Sequence, residues 1–270
     1  MKPRQTRTRR SGFTLTELLT VIGLVSLLIS LLLPVVGKVK AAANNTSCLS
    51  NLRQMGVAWT MYAVDNQGRL PAYMWLSTAA GKDNAWYGYW PGILAKNGVT
   101  DPVLLCPAAR DEAPADRSAG FGNVSYAWTG KYVHVINGSG VKLNDGTYRV
   151  SSYGYNRYLT MNAFKPDGGA NTLSNIGSLS NVPVFFDCAY ADAQPKSRGE
   201  NVPEQPPPNL RGDNLSEDSP QHWRFLLGRH GRGINVCTAD GGVRWVRLDE
   251  TYLLAWNGMW KPYRLKLPAQ

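Results

Sequence analysis

From Leu18 to Val36 the chain is almost wholly apolar, broken only by Thr20, Gly23, Ser26, Ser30 and Pro34, and a basic cluster stands in front of it. A helix from Phe13 to Val36 rises about 1.5 Å per residue and reaches roughly 36 Å, enough for a hydrocarbon core of about 30 Å. The positive-inside rule keeps Lys2, Arg4, Arg7, Arg9 and Arg10 cytoplasmic and sends the rest of the chain outward. A plain signal anchor, a buried core helix and a cleaved secretory peptide are the competing readings. The secretory reading would use Ala41-Ala42-Ala43 as its cleavage site, but the apolar run is too long for it and Lys38 and Lys40 intervene.

The formal charge of +10 invites a nucleic-acid reading until its location is considered. Five of the basic residues lie in the first ten positions with no acidic neighbour before Glu17, so removal of residues 1–12 leaves +5. No specific nucleic-acid partner is expected.

Glu17 constrains the helix further, because an ionisable group in a membrane helix costs on the order of 3 kcal/mol and is kept for a purpose. It lies in the sequence Arg10-Ser11-Gly12-Phe13-Thr14-Leu15-Thr16-Glu17-Leu18-Leu19, where a Gly-Phe junction precedes the apolar run. This segment resembles the type IV prepilin signal. The resemblance implies that a membrane peptidase cuts after Gly12 and methylates the new amino terminus of Phe13. It also implies that Glu17 neutralises the amino terminus of a neighbouring subunit and sets the register of assembly. Pro34 has a counterpart in such proteins, where a proline removes one backbone hydrogen bond and kinks the helix; the alternative is that Pro34 ends the membrane segment.

Beyond the apolar run, Leu49, Leu52, Met55, Trp59 and Tyr62 recur at spacings of three and four, which predicts an amphipathic continuation of the helix. Asp65-Asn66-Gln67-Gly68, followed by Leu70-Pro71, supplies the stop, with glycine as the left-handed cap. Cys48, Asn51-Leu52-Arg53-Gln54, Tyr62 and the segment from Asp65 to Pro71 resemble the region after the membrane in pseudopilins similar to the type II secretion major subunit. His230, nine residues, then Asp240-Gly241 resembles the H-x9-DG element of a large pilin-like family, and Cys106-Pro107 and Ser152-Tyr153-Gly154-Tyr155-Asn156 are in keeping with it. The resemblance covers the first seventy residues well and the last forty loosely.

The body reads as strands at Val103–Cys106, Lys131–Ile136, Thr147–Tyr153, Val182–Cys188, Ile234–Ala239 and Val243–Leu248, with Asp240-Gly241 as a tight turn between the last two. Pro203–Ser219 reads as a long surface excursion. The expected fold is α+β and pilin-like: a leader (1–12), a membrane and assembly helix (13–36), its amphipathic continuation (37–68), and a body (69–270) whose C-terminal antiparallel sheet packs on the helix. The four cysteines, Cys48, Cys106, Cys188 and Cys237, allow three pairings in an exported body. Cys188 and Cys237 both fall in candidate strands and can face each other, leaving Cys48 for Cys106; free buried thiols are the alternative.

For chemistry the sequence offers little. His230 and Asp240 are separated by up to about 33 Å of extended chain, so a dyad requires Gly231 and Gly233 to fold it back. His134 and His222 show no metal-ligand spacing, and no G-x-S-x-G, P-loop or H-E-x-x-H pattern is present. No catalytic residue is assigned, and the chain is not expected to be an enzyme. Asp213, Glu217 and Asp218 are the candidate ligands for calcium, which the resembled pseudopilins hold in a C-terminal loop; no other cofactor is expected. Trp75, Trp86, Tyr87, Tyr89 and Trp90 are dense enough for a glycan-stacking surface.

The resemblance as a whole implies an architectural subunit of a type II secretion pseudopilus or a type IV pilus-like filament. Its partners are then the membrane, the prepilin peptidase, other pilin-like subunits and the assembly machinery. Its place is the bacterial inner membrane as a single-pass protein, with the body periplasmic or carried outside on a filament. The alternative is a membrane-anchored binding module, for polysaccharide, that uses the same export signal.

Overall fold

In the computed structural model the residues described are 14–71, 90–109, 111–112, 121–129, 150–160, 167–196, 206–213, 215–216 and 218–268. The chain divides into two compact units, Met1–Ala43 and Asn44–Gln270. Helix α1 (Leu15–Asp65) accounts for the described part of the first unit, apart from Thr14, and for the opening element of the second.

In the first unit every large apolar side chain from Leu15 to Val39 is exposed. The helix is long and apolar enough to cross a membrane, as the hydropathy of the sequence predicts. It runs through Pro34 without interruption, so the proline does not end it. The missing N–H of Pro34 removes the helical donor for the carbonyl of Ser30.

In the second unit α1 turns one side to the core, with Cys48, Leu52, Met55, Trp59 and Ala63 buried. The buried stripe runs from Cys48 to Ala63, while Leu49 and Tyr62, expected within it, are half-buried. The helix ends in a Schellman arrangement: Gly68 N–H donates to Ala63 O at 2.7 Å and Gln67 N–H to Val64 O at 3.3 Å. The left-handed cap position falls on Gln67 (φ 59°), one residue before the expected Gly68 (φ 81°). A side chain at a left-handed position is strained, so Gln67→Gly is expected to raise stability by about 0.5 kcal/mol, read as a small increase in Tm of the purified protein.

The main sheet has the order β6-β4-β5-β7-β8, formed by β4 (Tyr153–Asn156), β5 (Pro183–Asp187), β6 (Asp192–Ala193), β7 (Gly233–Thr238) and β8 (Val243–Arg247). Pairs β4–β5, β5–β7 and β7–β8 are antiparallel, and β4–β6 is parallel. The sheet is therefore mixed rather than wholly antiparallel. After β5 the chain reverses over Cys188–Ala191 and passes to the far edge of β4, so β6 runs opposite to β5 and along β4. A smaller sheet has the order β1-β2-β3, from β1 (Asp111–Glu112), β2 (Tyr126–Thr129) and β3 (Val150–Ser151).

Strands β4, β5 and β7 are buried at every position because both sheet faces are covered. On one face Trp59 Nε1 donates to Tyr155 Oη at 3.3 Å, and Asn235 Nδ2 donates to Asn45 Oδ1 at 2.8 Å. Gly56 lets α1 approach β7, since a Cβ there would lie 2.5 Å from Cys237 Sγ. Helix α2 (Trp90–Lys96) adds Trp90, whose ring lies 5.3 Å from Phe185 and 6.2 Å from Trp128. On the opposite face Phe186 meets Phe225 and Trp256 at 5.5 and 5.0 Å.

Two strand expectations change. Val103–Cys106 is not a strand: Pro102 opens a 3-10 turn over Asp101–Leu104, and only the residues after it are extended. The described part of Thr147–Tyr153 breaks at Ser152 between β3 and β4. Lys131–Ile136 lies outside the described residues.

Candidate functional site

The proposed cleavage residues Gly12 and Phe13 lie outside the described residues. Immediately after them, Thr14 and Glu17 form a capping box. Thr14 N–H donates to Glu17 Oε2 at 2.9 Å, and Glu17 N–H donates to Thr14 Oγ1 at 3.2 Å. This satisfies two of the donors that a helix start leaves without partners. The T-x-x-E spacing that carries this cap is visible in the sequence. Glu17 is exposed, and its carboxylate is aligned with the first turn of α1.

The second concentration of functional groups is buried in the body. Cys48 on α1 is disulfide-bonded to Cys106, with 5.1 Å between the Cα atoms. Both side chains are fully buried. Cys188 and Cys237 are free, which corrects the expectation that they pair. Cys237 stands opposite Phe185 in the β5–β7 ladder, three residues before Cys188. That offset is about 10 Å along the strand, too far for a disulfide. Burial pushes both thiols up to about 12, so they remain protonated and inert.

His230 meets the disulfide rather than Asp240. Its Nε2 lies 3.3 Å from Cys106 Sγ and 3.3 Å from Asp187 Oδ2. Asp187 ends β5, fully buried, with Oδ2 also accepting the Asn235 N–H at 2.8 Å. Its other oxygen receives Arg229 Nη1 at 3.2 Å. The guanidinium continues to the carbonyls of Ser152, Asn123 and Cys188, so one cation ties four segments together. Burial pushes the Asp187 carboxyl up, but the His230 hydrogen bond, the Arg229 charge and the Asn235 N–H outweigh it and leave the group below the ordinary carboxylate value. Asn51 on α1 closes the centre by donating to Leu105 O at 2.9 Å, beside the cystine.

The H-x9-DG spacing measures a strand. His230 N–H and Gly233 O close a turn into β7, with Gly231 at φ 74°. At the far end of β7, Asp240 Oδ1 accepts Thr238 Oγ1 at 2.6 Å and Gly242 N–H at 2.9 Å, and Gly241 takes φ 79°. These bonds hold the Asp240 carboxyl below its ordinary value. The two ends of the motif thus serve different tasks, a helix-to-sheet clasp at His230 and a hairpin turn at Asp240-Gly241.

The remaining sequence candidates are placed as follows. Trp90 is fully buried and donates to Ala191 O, so it is a core residue rather than part of a glycan platform. Trp75, Trp86, Tyr87, Tyr89, His134 and Glu217 lie outside the described residues. His222 is buried against Trp223 and Tyr252. Of the calcium candidates, Asp213 is engaged by Asn123 Nδ2 at 2.8 Å and Arg211 Nε at 2.9 Å, and Asp218 is exposed. The centre's key partners, Asp187 and Arg229, escaped sequence reading. The signal was a carboxylate closing an apolar strand and an arginine beside His230 after the apolar Phe225–Leu227 run. No protein-family model, curated protein or solved structure matches the chain.

Proposed function

We propose that the chain is a pilin-like structural subunit, trimmed between Gly12 and Phe13 and assembled through its N-terminal helix into a type II secretion pseudopilus or type IV pilus-like filament. The observation that carries this reading is α1. Its first part is wholly exposed and apolar with a carboxylate in the first turn, and the same helix then supplies a buried face to the body. A basic leader ending in Gly-Phe precedes it. Prepilin peptidase removes the leader and methylates Phe13, and lateral packing of the apolar segments then removes them from lipid and water. Glu17 neutralises a neighbour's amino terminus while its side chain remains in the helix cap. The leader stays cytoplasmic and the body lies outside the inner membrane, where an oxidising compartment suits the Cys48–Cys106 bond.

The test is the mass of the N-terminal peptide from protein purified out of host membranes. Wild type is expected to begin at N-methylated Phe13, and Gly12→Ala to retain the leader. A wild-type terminus at Met1 or Lys2 makes the segment a plain signal anchor, and one at Asn44 makes the body a secreted soluble protein.

A further inference from the structure

The groups around the disulfide form a ligand set that the assembly role does not use. Cys48 Sγ, Cys106 Sγ, His230 Nε2 and a carboxylate oxygen of Asp187 all lie within 4.8 Å of one another. Two sulfurs, one imidazole and one carboxylate make up a four-coordinate Zn2+ set. Tetrahedral zinc at ordinary bond lengths holds a nitrogen and an oxygen about 3.3 Å apart, and a nitrogen and a sulfur about 3.6 Å apart. His230 Nε2 already stands 3.3 Å from both Asp187 Oδ2 and Cys106 Sγ.

We propose that this centre is a redox-gated dication site, closed as the Cys48–Cys106 disulfide when oxidised and occupied by Zn2+ on Cys48, Cys106, His230 and Asp187 when reduced. Two molecules of a small thiol together give an electron pair to the S–S bond by thiol–disulfide exchange. Two protons convert the sulfurs to thiols, and the reductant leaves as its own disulfide. Zinc then displaces those two protons and binds both thiolates, so metal uptake releases two protons per ion. Reoxidation by a small-molecule disulfide returns the cystine and expels the metal. Opening the S–S bond lets the sulfurs part to a tetrahedral edge, while the imidazole stays close to its present place.

Charge favours both states. With the disulfide closed, the Asp187 carboxylate is balanced by the Arg229 guanidinium, both fully buried. With zinc bound, two thiolates and Asp187 are balanced by the metal and Arg229. Neither state leaves a net charge in the interior, which would cost several kcal/mol. Soft sulfur ligands select zinc-like ions over calcium or magnesium. The next residues in the chain, Gly231 and Arg232, are exposed, so the centre lies close beneath the surface. Every group involved belongs to the second unit, so the inference stands apart from the fate of the N-terminal segment.

Cobalt(II) titration of the full-length protein in detergent tests this, comparing oxidised protein with protein reduced by a phosphine. Reduced wild type is expected to give the visible bands of tetrahedral cobalt with a thiolate-to-cobalt band, both bleached by stoichiometric zinc. The oxidised protein is expected to give neither. Cys48→Ser with Cys106→Ser should lose the thiolate band, and His230→Ala the tetrahedral bands. Reduced wild type that keeps its native circular dichroism but shows no such bands overturns the proposal, as do bands that survive both substitutions. If reduction alone unfolds the body, restoration of the native spectrum by cobalt supports the site, and failure to restore it overturns it.

Discussion

Replacing both bridging residues, as Cys48→Ala with Cys106→Ala, is expected to destabilise the body by about 4 kcal/mol in the presence of a chelator. The two half-cystines are 58 residues apart in sequence, and freeing a loop of that size restores roughly that much chain entropy to the unfolded state. For a body of this size the loss corresponds to a fall in Tm on the order of 10 °C. Apart from the main chain, the bridge is the one covalent link between α1 and the rest of the body among the described residues, and its partners do not replace it. Asn51 donates to Leu105 O at 2.9 Å and to Tyr153 Oη at 3.5 Å, and Asn45 accepts one bond from Asn235, neutral hydrogen bonds worth about 1 kcal/mol each. Thermal unfolding of wild type and the double variant, followed by circular dichroism without reductant, measures the difference. A loss below about 1 kcal/mol would mean that packing of Leu52, Met55 and Trp59 already closes the loop without the bond.

The parts of this fold that were legible in the sequence are those whose signals are local. The apolar run, the three-and-four spacing of Leu52, Met55 and Trp59, and the cap before Leu70-Pro71 give α1 nearly to the residue. Alternation and the Asp240-Gly241 turn give β7 and β8. Parallel edge strand β6 was not legible, because Asp192–Ala193 is two residues long and owes its pairing to where the chain lands after β5. Val103–Cys106 looked like a strand by composition, but the proline at the second position fixed a backbone angle suited to a tight helical turn.

The buried centre was half legible for a related reason. Cysteine counting and His230 marked three of its members, yet they converge with Asp187 from four separate segments, and no spacing encodes that meeting. His230 and Asp240 flank the two ends of β7, as their spacing predicts, whereas Asp187, which His230 does meet, closes an apolar strand and carries no local signal of that contact. Cys188 and Cys237 both lie where the sequence predicts a strand, but ladder register decides whether two strand residues face each other, and register is set by long-range pairing.

Asp187→Ala is expected to cost 3–5 kcal/mol, on the order of the disulfide itself, because it leaves the buried Arg229 cation without its counter-charge. Removing both partners, as Asp187→Ala with Arg229→Met, is not expected to restore stability as it often does for isolated buried pairs. Arg229 also donates to the carbonyls of Ser152, Asn123 and Cys188, and their loss strands acceptors at about 1–3 kcal/mol for each one left unsatisfied. The acid side of the stability profile separates the charge from the packing. The folded Asp187 carboxyl titrates below the ordinary value of 3.8, so as pH falls through that value the unfolded chain takes up its proton first. Stability from this group is therefore complete above that pH and is lost as pH drops toward the folded value, by up to about 1.4 kcal/mol per pH unit. Asp187→Asn should show a shallower acid limb than wild type by that one proton, since its carboxamide does not titrate. The depressed carboxyls of Asp240 and Asp249 remain in both proteins, so the difference between the two profiles isolates Asp187. Urea unfolding of the two proteins from pH 6 to pH 3 measures it, and parallel acid limbs would show that the Asp187–Arg229 contact holds the centre by shape rather than by charge.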